Sequence, residues 1–313
     1  MCTLTVAWGV FEDEPLVVAA NRDEVLARPS TGPGRSEGEL TAVAPRDGEA
    51  GGTWIGYNER GLFAGVTNRW TDSEDERSEP SDRASGAGEP ASRESEHSEL
   101  SDGASGDDGA ASREGGRSRG LLVRDVLDQP TTRRAAALVE REVERREYAG
   151  FNMLVADGFA GDPPEGFGSS KTGSVGTLDA AGDPAAVYLE YDGALRTRTL
   201  ESGVHVVVNV GADGEYVSPP GRADAARRQA ANADRLRAHL RPEPGESARE
   251  WRERARAALR DHEFGVCVHD DGFGTRSSSV LSFGEDGVSY EYADGPPCET
   301  DFERVETSVR GRP

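Results

Sequence analysis

The sequence contains almost no lysine, few cysteines and no long hydrophobic run. Lys171 is the only lysine among 36 basic side chains, and 58 acidic side chains give a formal net charge of -22. This charge repels phosphate backbones and anionic lipid headgroups, so we expect no binding to nucleic acid or to a membrane surface. A halophilic habitat is our hypothesis for the acidity, because concentrated salt screens the self-repulsion.

The cysteines are Cys2, Cys267 and Cys298, an odd number without a CxxC pair. Such a set argues against a disulfide framework or a structural zinc site and fits a reducing compartment. Cys267 and His269 alternate on a predicted strand and therefore share one face, but two residues are too few to hold a metal ion. We predict neither a metal nor another cofactor.

The N-terminal apolar run, residues 3–11, falls well below the roughly 20 residues that span a bilayer. It has no preceding basic region and continues directly into three acidic residues at 12–14. We therefore predict no signal peptide, no membrane insertion and a cytoplasmic location.

The chain of 313 residues is long enough for one large domain with a buried core. Leu100 is the only large apolar residue from 72 to 119, so this stretch buries too little apolar surface to offset its ordering entropy. We predict a single domain, 1–313, interrupted by a disordered acidic insertion at about 71–119. The insertion is either a tolerated surface loop or a regulatory or partner-binding segment.

Outside the insertion, the hydrophobic pattern predicts strands near both ends of the chain and helices in the middle. The segments predicted as strands are 4–10, 16–20, 53–57, 62–67, 151–156, 186–191, 204–209, 264–269, 278–283 and 288–292. The segments predicted as helices are 121–127, 132–146, 222–240 and 247–260, with Thr131 or Thr132 as a cap of the second. This order indicates one layered α+β domain whose sheets combine distant segments.

Cys2 is the first candidate for catalysis. If Met1 is removed, Cys2 carries a free α-amine with an ordinary pKa of about 7.7 to 8.0. That amine can take the proton of the Cys2 thiol at neutral pH, so a single residue supplies both nucleophile and base.

Two further motifs place polar groups near Cys2. An antiparallel hairpin of the first two strands brings Arg22 and Asp23 beside it, where the arginine favours a thiolate and the carboxylate holds the amine. The alternative is a strand-ending turn in which Arg22 and Asp23 pair at the surface. In the second motif, Asn68 ends a predicted strand and can donate its amide to an oxyanion, while Trp54 is expected in the core.

Four motifs in order resemble one known family. They are Cys2 after the initiator Met, NRDE at 21–24, GGTWIGYNERGLFAGVTNR at 51–69 and FGTRSSSV at 273–280. Together they are similar to the NRDE family, also called the transport and Golgi organisation 2 family, over nearly the whole chain outside the insertion. The resemblance implies the fold of the N-terminal-nucleophile hydrolases, a four-layer αββα sandwich.

The resemblance also implies roles for individual residues, by similarity to the cysteine acylases of that superfamily. The implied catalytic residues are Cys2, Arg22, Asp23, Asn68 and Asn209, with Cys2 as nucleophile and Asn209 in the oxyanion hole. A further catalytic arginine is either Arg222 or Arg276. The residues assigned to substrate binding are Asn21, Trp54 and Arg276.

Two functions remain open at this point. One is hydrolysis or transfer of an acyl group at a non-peptide C–N bond or a thioester, with a small-molecule amide as substrate. The other follows the family's eukaryotic members, which are implicated in haem trafficking and lipid metabolism. In that role the cleft carries haem or an acyl-CoA without turnover. The retained thiol, arginine, carboxylate and amides favour chemistry.

Overall fold

The computed structural model describes residues 2–36, 38–71, 116–159 and 186–306. The predicted acidic insertion lies outside the described residues from 72 to 115. Its expected edges are described, and at the second edge Arg119 already begins a helix. The predicted helix that starts at Leu121 therefore begins two residues earlier.

The described residues form strands and helices in the following order. The strands are β1 (Thr3–Trp8), β2 (Leu16–Val25), β3 (Ser30–Ser36), β4 (Ala42–Asp47), β5 (Ile55–Asn58), β6 (Leu62–Asn68), β7 (Phe151–Asp157), β8 (Ala186–Tyr191), β9 (Leu195–Thr199), β10 (Gly203–Val208), β11 (Gly211–Ala212), β12 (Glu215–Tyr216), β13 (His269–Asp270), β14 (Phe273–Gly284), β15 (Gly287–Ala293) and β16 (Glu303–Arg304). The helices are α1 (Arg119–Leu127), α2 (Thr132–Arg145), α3 (Ala223–His239) and α4 (Ala248–Arg260).

These strands make two antiparallel sheets. The first sheet has the order β12-β11-β10-β1-β2-β14-β15-β16, with β13 paired to β14. The second sheet runs β3-β4-β5-β6-β7-β8-β9. The first sheet thus joins the start of the chain to its last third, and this arrangement places both the N-terminus and the FGTRSSSV motif next to β2.

Three buried apolar layers separate four structural layers. Side chains such as Leu4, Val18 and Phe63 fill the space between the two sheets. A second core, which includes Trp251, lies between the first sheet and helices α3 and α4. A third core packs α1 and α2 on the second sheet. The expected four-layer αββα sandwich of the α+β class is confirmed by this arrangement.

Alternation along β2 decides which polar groups face which layer. Leu16, Val18 and Ala20 point into the core between the sheets, whereas Val17 and Ala19 point toward α3 and α4. Because successive side chains of a strand point to opposite faces, the NRDE residues that end β2 divide between the two layers.

The four helices are close to their predicted bounds, and the cap of α2 is Thr131, whose side chain accepts a hydrogen bond from the Arg134 amide. Strands β3, β4 and β9 are additions to the prediction, because their Gly, Pro and Arg content resembles loop sequence. The strand predicted over 264–269 is wrong: a short 3-10 helix covers His262–Phe264, and only His269 and Asp270 pair with β14. None of the helices in the described part of the chain has the length and apolar character needed to cross a membrane.

Candidate active site

Cys2 lies directly before β1, at one end of the first sheet. The next residue, Thr3, is opposite Asn21 of β2 on one side and Val208 of β10 on the other. The strand register therefore brings the NRDE segment and Asn209 to either side of Cys2. This is the proximity that the sequence predicts for Arg22, Asp23 and Asn209.

Asn209 holds the backbone nitrogen of Cys2. The Cys2 nitrogen donates to Asn209 Oδ1 at 3.0 Å, and Gln229 Nε2 donates to the same oxygen at 3.0 Å. Asn209 Nδ2 in turn donates to the Asn68 carbonyl oxygen at 2.9 Å. Because both ends of the amide are bonded, Asn209 presents a fixed acceptor to the Cys2 nitrogen.

Gln229 is a functional residue that the sequence analysis missed. It lies on α3 and is fully buried, and its Oε1 accepts a hydrogen bond from the Val210 amide at 3.0 Å. It shares the buried face of α3 with Ala226, Ala233 and Leu236. The sequence signal for Gln229 is that a polar glutamine stands at a position where the helical period requires a buried apolar residue.

The Cys2 thiol points into the protein and donates to the Asp23 carbonyl oxygen at an Sγ–O distance of 3.5 Å. Burial raises the pKa of this thiol above its ordinary value. The thiol is therefore protonated at neutral pH, and it needs a base to become a nucleophile.

Asp23 is buried on the side of β2 that faces the helices. Thr275 Oγ1 donates to its Oδ1 at 2.5 Å. Burial raises the pKa of the Asp23 carboxyl. Asp23 thus contacts Cys2 through its backbone carbonyl oxygen, and the charge of its carboxylate, which is bonded to Thr275, also acts to raise the pKa of the Cys2 thiol.

Arg22 points to the opposite side, into the space between the sheets. It is 6% exposed, and its guanidinium carbon lies 4.1 Å from the centroid of the Trp54 ring. Its Nη2 donates to Asp47 Oδ2 at 3.0 Å. Its Nη1 is buried and has no hydrogen-bond partner among the described residues. An unbonded guanidinium nitrogen at this place is a donor for a ligand oxygen.

Asp47, at the end of β4, is a second residue that the sequence analysis missed. Besides Arg22, it binds the guanidinium of Arg28 through both carboxylate oxygens, at 2.7 and 3.0 Å. Burial acts to raise the pKa of Asp47, but the hydrogen bond from Arg28 and backbone donors outweigh it and lower the pKa. Asp47 is therefore an anion that fixes the position of Arg22.

A small cavity opens beside Cys2 between the two sheets. Its volume is about 20 Å³, room for about one water molecule. It is lined by Cys2, Thr3, Leu4, Ala20, Asn21, Arg22, Trp54, Ile55, Gly65, Val66, Thr67, Ser277 and Ser279. The half-buried Trp54 forms part of its wall and packs against the core between the sheets. Its assignment to substrate binding stays a prediction.

The side chain of Asn21 makes hydrogen bonds within the protein. Its Nδ2 donates to the carbonyl oxygens of Leu259 and Val266 at 3.1 and 2.8 Å, and its Oδ1 accepts from Ser278 at 2.6 Å. Asn21 therefore ties β2 to α4 and β14, and only its position on the strand places it at the cavity. The geometry favours a structural role over the predicted contact with substrate.

Three other predicted residues lie farther from the cavity. The Asn68 side chain is exposed, and the residue contributes its carbonyl oxygen to Asn209. Arg276 occupies a bulge between β2 and β14 and pairs with Asp294 at 2.8 Å. Arg222 stacks over the Trp70 ring at 5.4 Å. Neither arginine is among the residues around the cavity, so the further catalytic arginine stays unassigned.

A separate group of side chains has the composition of a metal site. His262, Cys267, His269 and Cys298 place one ligand atom each within 4.8 Å of one another. In the sequence, only Cys267 and His269 lie close together, and two residues are too few to hold a metal ion. The structure adds a residue from each flank, because the 3-10 turn and the segment after β15 both meet this loop.

Comparisons with known proteins agree with the motifs. Residues 1–93 match the sequence model of the family described as Transport and Golgi organisation 2. A stretch of 56 residues is 41% identical to the human Transport and Golgi organization protein 2 homolog, covering 17% of this chain. The aligned stretch spans 20% of the length of the human protein. The resemblance to this family is confirmed for the N-terminal part of the chain.

Among solved structures, the chain is similar to penicillin V acylase from Agrobacterium tumefaciens. The similarity covers 94% of this chain and 83% of the acylase, with 15% sequence identity and a TM-score of 0.43. The four-layer order of the present chain is established by its own sheets and helices.

Proposed function

We propose that this chain is an N-terminal-cysteine hydrolase or acyl transferase. The substrate class is a non-peptide amide or a thioester. The observation that carries the proposal is the hydrogen bond of 3.0 Å from the Cys2 nitrogen to Asn209 Oδ1. After removal of Met1, that nitrogen is the α-amine, already held beside the thiol.

The first half-reaction acylates Cys2. The thiol proton passes to the α-amine while Sγ forms a bond to the substrate carbonyl carbon, and the carbonyl oxygen gains the negative charge. When the C–N bond breaks, the ammonium returns the proton to the leaving nitrogen. The products are a free amine and a thioester on Cys2.

The second half-reaction regenerates the thiol. Water loses a proton to the α-amine and attacks the thioester carbon, and the departing Cys2 sulfur takes that proton back. The acyl group leaves as a carboxylic acid. The cavity beside Cys2 has a volume of about 20 Å³, which accommodates such a water molecule.

Two donors are candidates for binding the developing oxyanion. Arg22 Nη1 is buried at the cavity without a partner among the described residues. Asn209 Nδ2 carries two hydrogens and donates one of them to the Asn68 carbonyl oxygen, which leaves the other as a possible donor to the oxyanion. A preorganised donor is effective here because the site excludes bulk water. Arg22 is the stronger candidate, since its charge is held in place by Asp47.

The proposal includes a location. Cys2, Cys267 and Cys298 are all free thiols. A catalytic thiol and two further free thiols suit the reducing cytoplasm, where the small-molecule substrate would be met.

The test compares wild type with Cys2→Ala and with a form that carries an uncleavable N-terminal extension. The extended form keeps the thiol but lacks the free amine. Acyl amides and acyl-CoA thioesters of increasing chain length serve as substrates. We expect turnover by the wild type only, rising with pH as the α-ammonium loses its proton and becomes able to accept the proton of the Cys2 thiol.

The alternative function, a carrier for haem or an acyl-CoA, predicts a different pattern. The wild type and Cys2→Ala would then bind the ligand equally, and neither would release product. Turnover that persists in the extended form would also contradict the proposal, because the α-amine would not be the base.

A further inference from the structure

The loop that follows α4 brings together two thiols and two imidazoles that no step of the proposed reaction uses. Cys267 is buried, Cys298 is half-buried, and His262 and His269 are exposed at the surface. Two sulfur and two nitrogen ligands form one of the standard sets for structural zinc. Neither calcium nor magnesium selects such a set, because both prefer oxygen.

The distances fit a tetrahedral ion. With zinc bonds of about 2.3 Å to sulfur and 2.05 Å to nitrogen, the edges of the tetrahedron are about 3.8 Å between sulfurs and about 3.6 Å between sulfur and nitrogen. Cys267 Sγ lies 3.6 Å from Cys298 Sγ and 3.5 Å from His269 Nε2. His269 Nε2 lies 3.1 Å from Cys298 Sγ. Three ligand atoms therefore stand within about half an ångström of the zinc geometry.

The backbone is shaped to deliver the fourth ligand. His262 begins the 3-10 turn, and Gly265 ends it with φ 64°, a conformation that favours glycine. A Cβ at Gly265 would collide with the Asn232 side chain. The turn reverses the chain so that the His262 ring lies 5.1 Å from the His269 ring, centroid to centroid.

Cys298 arrives from the far end of the chain. It lies in a turn in which the amides of Glu299 and Thr300 both donate to the Pro296 carbonyl. This turn comes after β15, whereas Cys267 comes before β14. A bound ion would therefore join the two flanks of the β14–β15 hairpin.

We propose that His262, Cys267, His269 and Cys298 form a structural site for zinc. Four protein ligands close the coordination shell, so the ion stabilises the fold and leaves no open position for substrate. The strongly acidic chain, with its net charge of -22, also favours binding of a cation. None of the four ligands takes part in the proposed reaction at Cys2.

The site braces the segment that supports the NRDE residues. Directly before Cys267, the Val266 carbonyl accepts a hydrogen bond from Asn21 Nδ2 at 2.8 Å. Directly after it, the Val268 amide donates to Thr275 Oγ1 at 2.9 Å. Thr275 is the residue that binds Asp23. Zinc would thus fix the loop around Cys267, whose backbone hydrogen-bonds to Asn21 and Thr275 and so helps to position the buried end of β2.

The experiment measures metal directly in the full chain. Reduced, purified protein is stripped with a chelator and titrated with Zn²⁺ and separately with Co²⁺. We expect one ion per chain, visible bands of tetrahedral cobalt and a near-ultraviolet sulfur-to-cobalt charge-transfer band. Stripping is expected to lower the Tm by about 5 °C or more, and Zn²⁺ to restore it.

Two variants assign the ligands, and a third is a matched control. Cys298→Ser should lose about half of the charge-transfer intensity, and His269→Ala should shift the visible bands. His239→Ala alters an exposed histidine outside the four proposed ligands, whose ring lies 4.9 Å from the Phe264 ring, centroid to centroid. This control should bind cobalt like the wild type.

Alkylation of the wild type provides a measurement that does not depend on folding of the variants. Zinc should protect Cys267 and Cys298 from iodoacetamide, and chelation should expose Cys298, with Cys2 as the internal reference. The proposal is overturned if the reduced wild type takes up neither ion, or if its cobalt complex lacks the charge-transfer band. The proposal is also overturned if Cys267 and Cys298 form a disulfide in the purified protein and the protein still binds no metal after that disulfide is reduced.

Discussion

The two faces of β2 end in polar groups that are satisfied to different degrees. On the face toward the helices, Asn21 uses its amide in three hydrogen bonds to the protein. On the face toward the second sheet, Arg22 leaves Nη1 without a partner among the described residues, in a cavity shared with Cys2. Neighbouring residues of one motif thus differ: one makes its hydrogen bonds within the protein, and the other directs a donor at the cavity, as the strand period of two requires.

The largest expected effect comes from removing the Arg22 guanidinium, which faces the cavity. Arg22→Met should lower turnover by about 100- to 1,000-fold, the loss typical of removing one oxyanion donor. The free energy of unfolding should fall by about 2 kcal/mol, less than is typical when a buried ion pair is broken, because Asp47 keeps its two bonds to Arg28. Steady-state kinetics and urea unfolding measure the two effects. Arg249→Met, on the surface of α4, is the control and should change neither; unchanged turnover in Arg22→Met would remove Arg22 from the site.

A substitution of Asn21, on the face of β2 toward the helices, should lower the free energy of unfolding. Asn21→Asp keeps the shape but turns a donor into a carboxylate oxygen that faces the carbonyls of Leu259 and Val266. We expect a loss of about 3 kcal/mol in the free energy of unfolding, because a charge is buried against acceptors. Asn68→Asp makes the same change on an exposed side chain and should cost less than about 0.5 kcal/mol. Equal losses of unfolding free energy in the two variants would show that the hydrogen bonds of Asn21 do not stabilise the fold.

A smaller effect should follow from loosening Asn209 without touching the cavity. Gln229→Leu removes the second donor to Asn209 Oδ1 and leaves the Val210 amide unpaired. We expect kcat to fall by about 10-fold with KM nearly unchanged, as for a residue that positions another. Gln129→Leu, at the end of α1, serves as the matched control. A parallel rise in KM would indicate a binding role instead.

Local patterns were sufficient to predict much of the first sheet. The alternating residues of β1 and β2 predict the hairpin, and the hairpin register brings Arg22 and Asp23 to Cys2. The structure adds that Arg22 and Asp23, as neighbours on one strand, point to opposite faces of the sheet. Strands β3 and β4 escaped prediction because STGPGRS and APRD contain Gly, Pro and charges, and their position depends on pairing within the second sheet.

The residues that the sequence analysis missed share a long-range origin. Asp47 meets Arg22 across the space between the two sheets, and Gln229 meets Asn209 from a helix on the other side. Cys298 is 31 residues from Cys267, with a hairpin between them. No short spacing motif encodes these contacts, because tertiary packing creates them.

The proposed reaction requires that Cys2 uses its own α-amine as the base. The most direct test is the intact mass of the protein purified from its native host, before and after brief exposure to an acyl thioester. We predict a chain without Met1 that gains one acyl group on Cys2, and a Cys2→Ala variant that gains none. Quantitative retention of Met1 would rule out this mechanism, because the Cys2 nitrogen would then be an amide and could not accept the thiol proton.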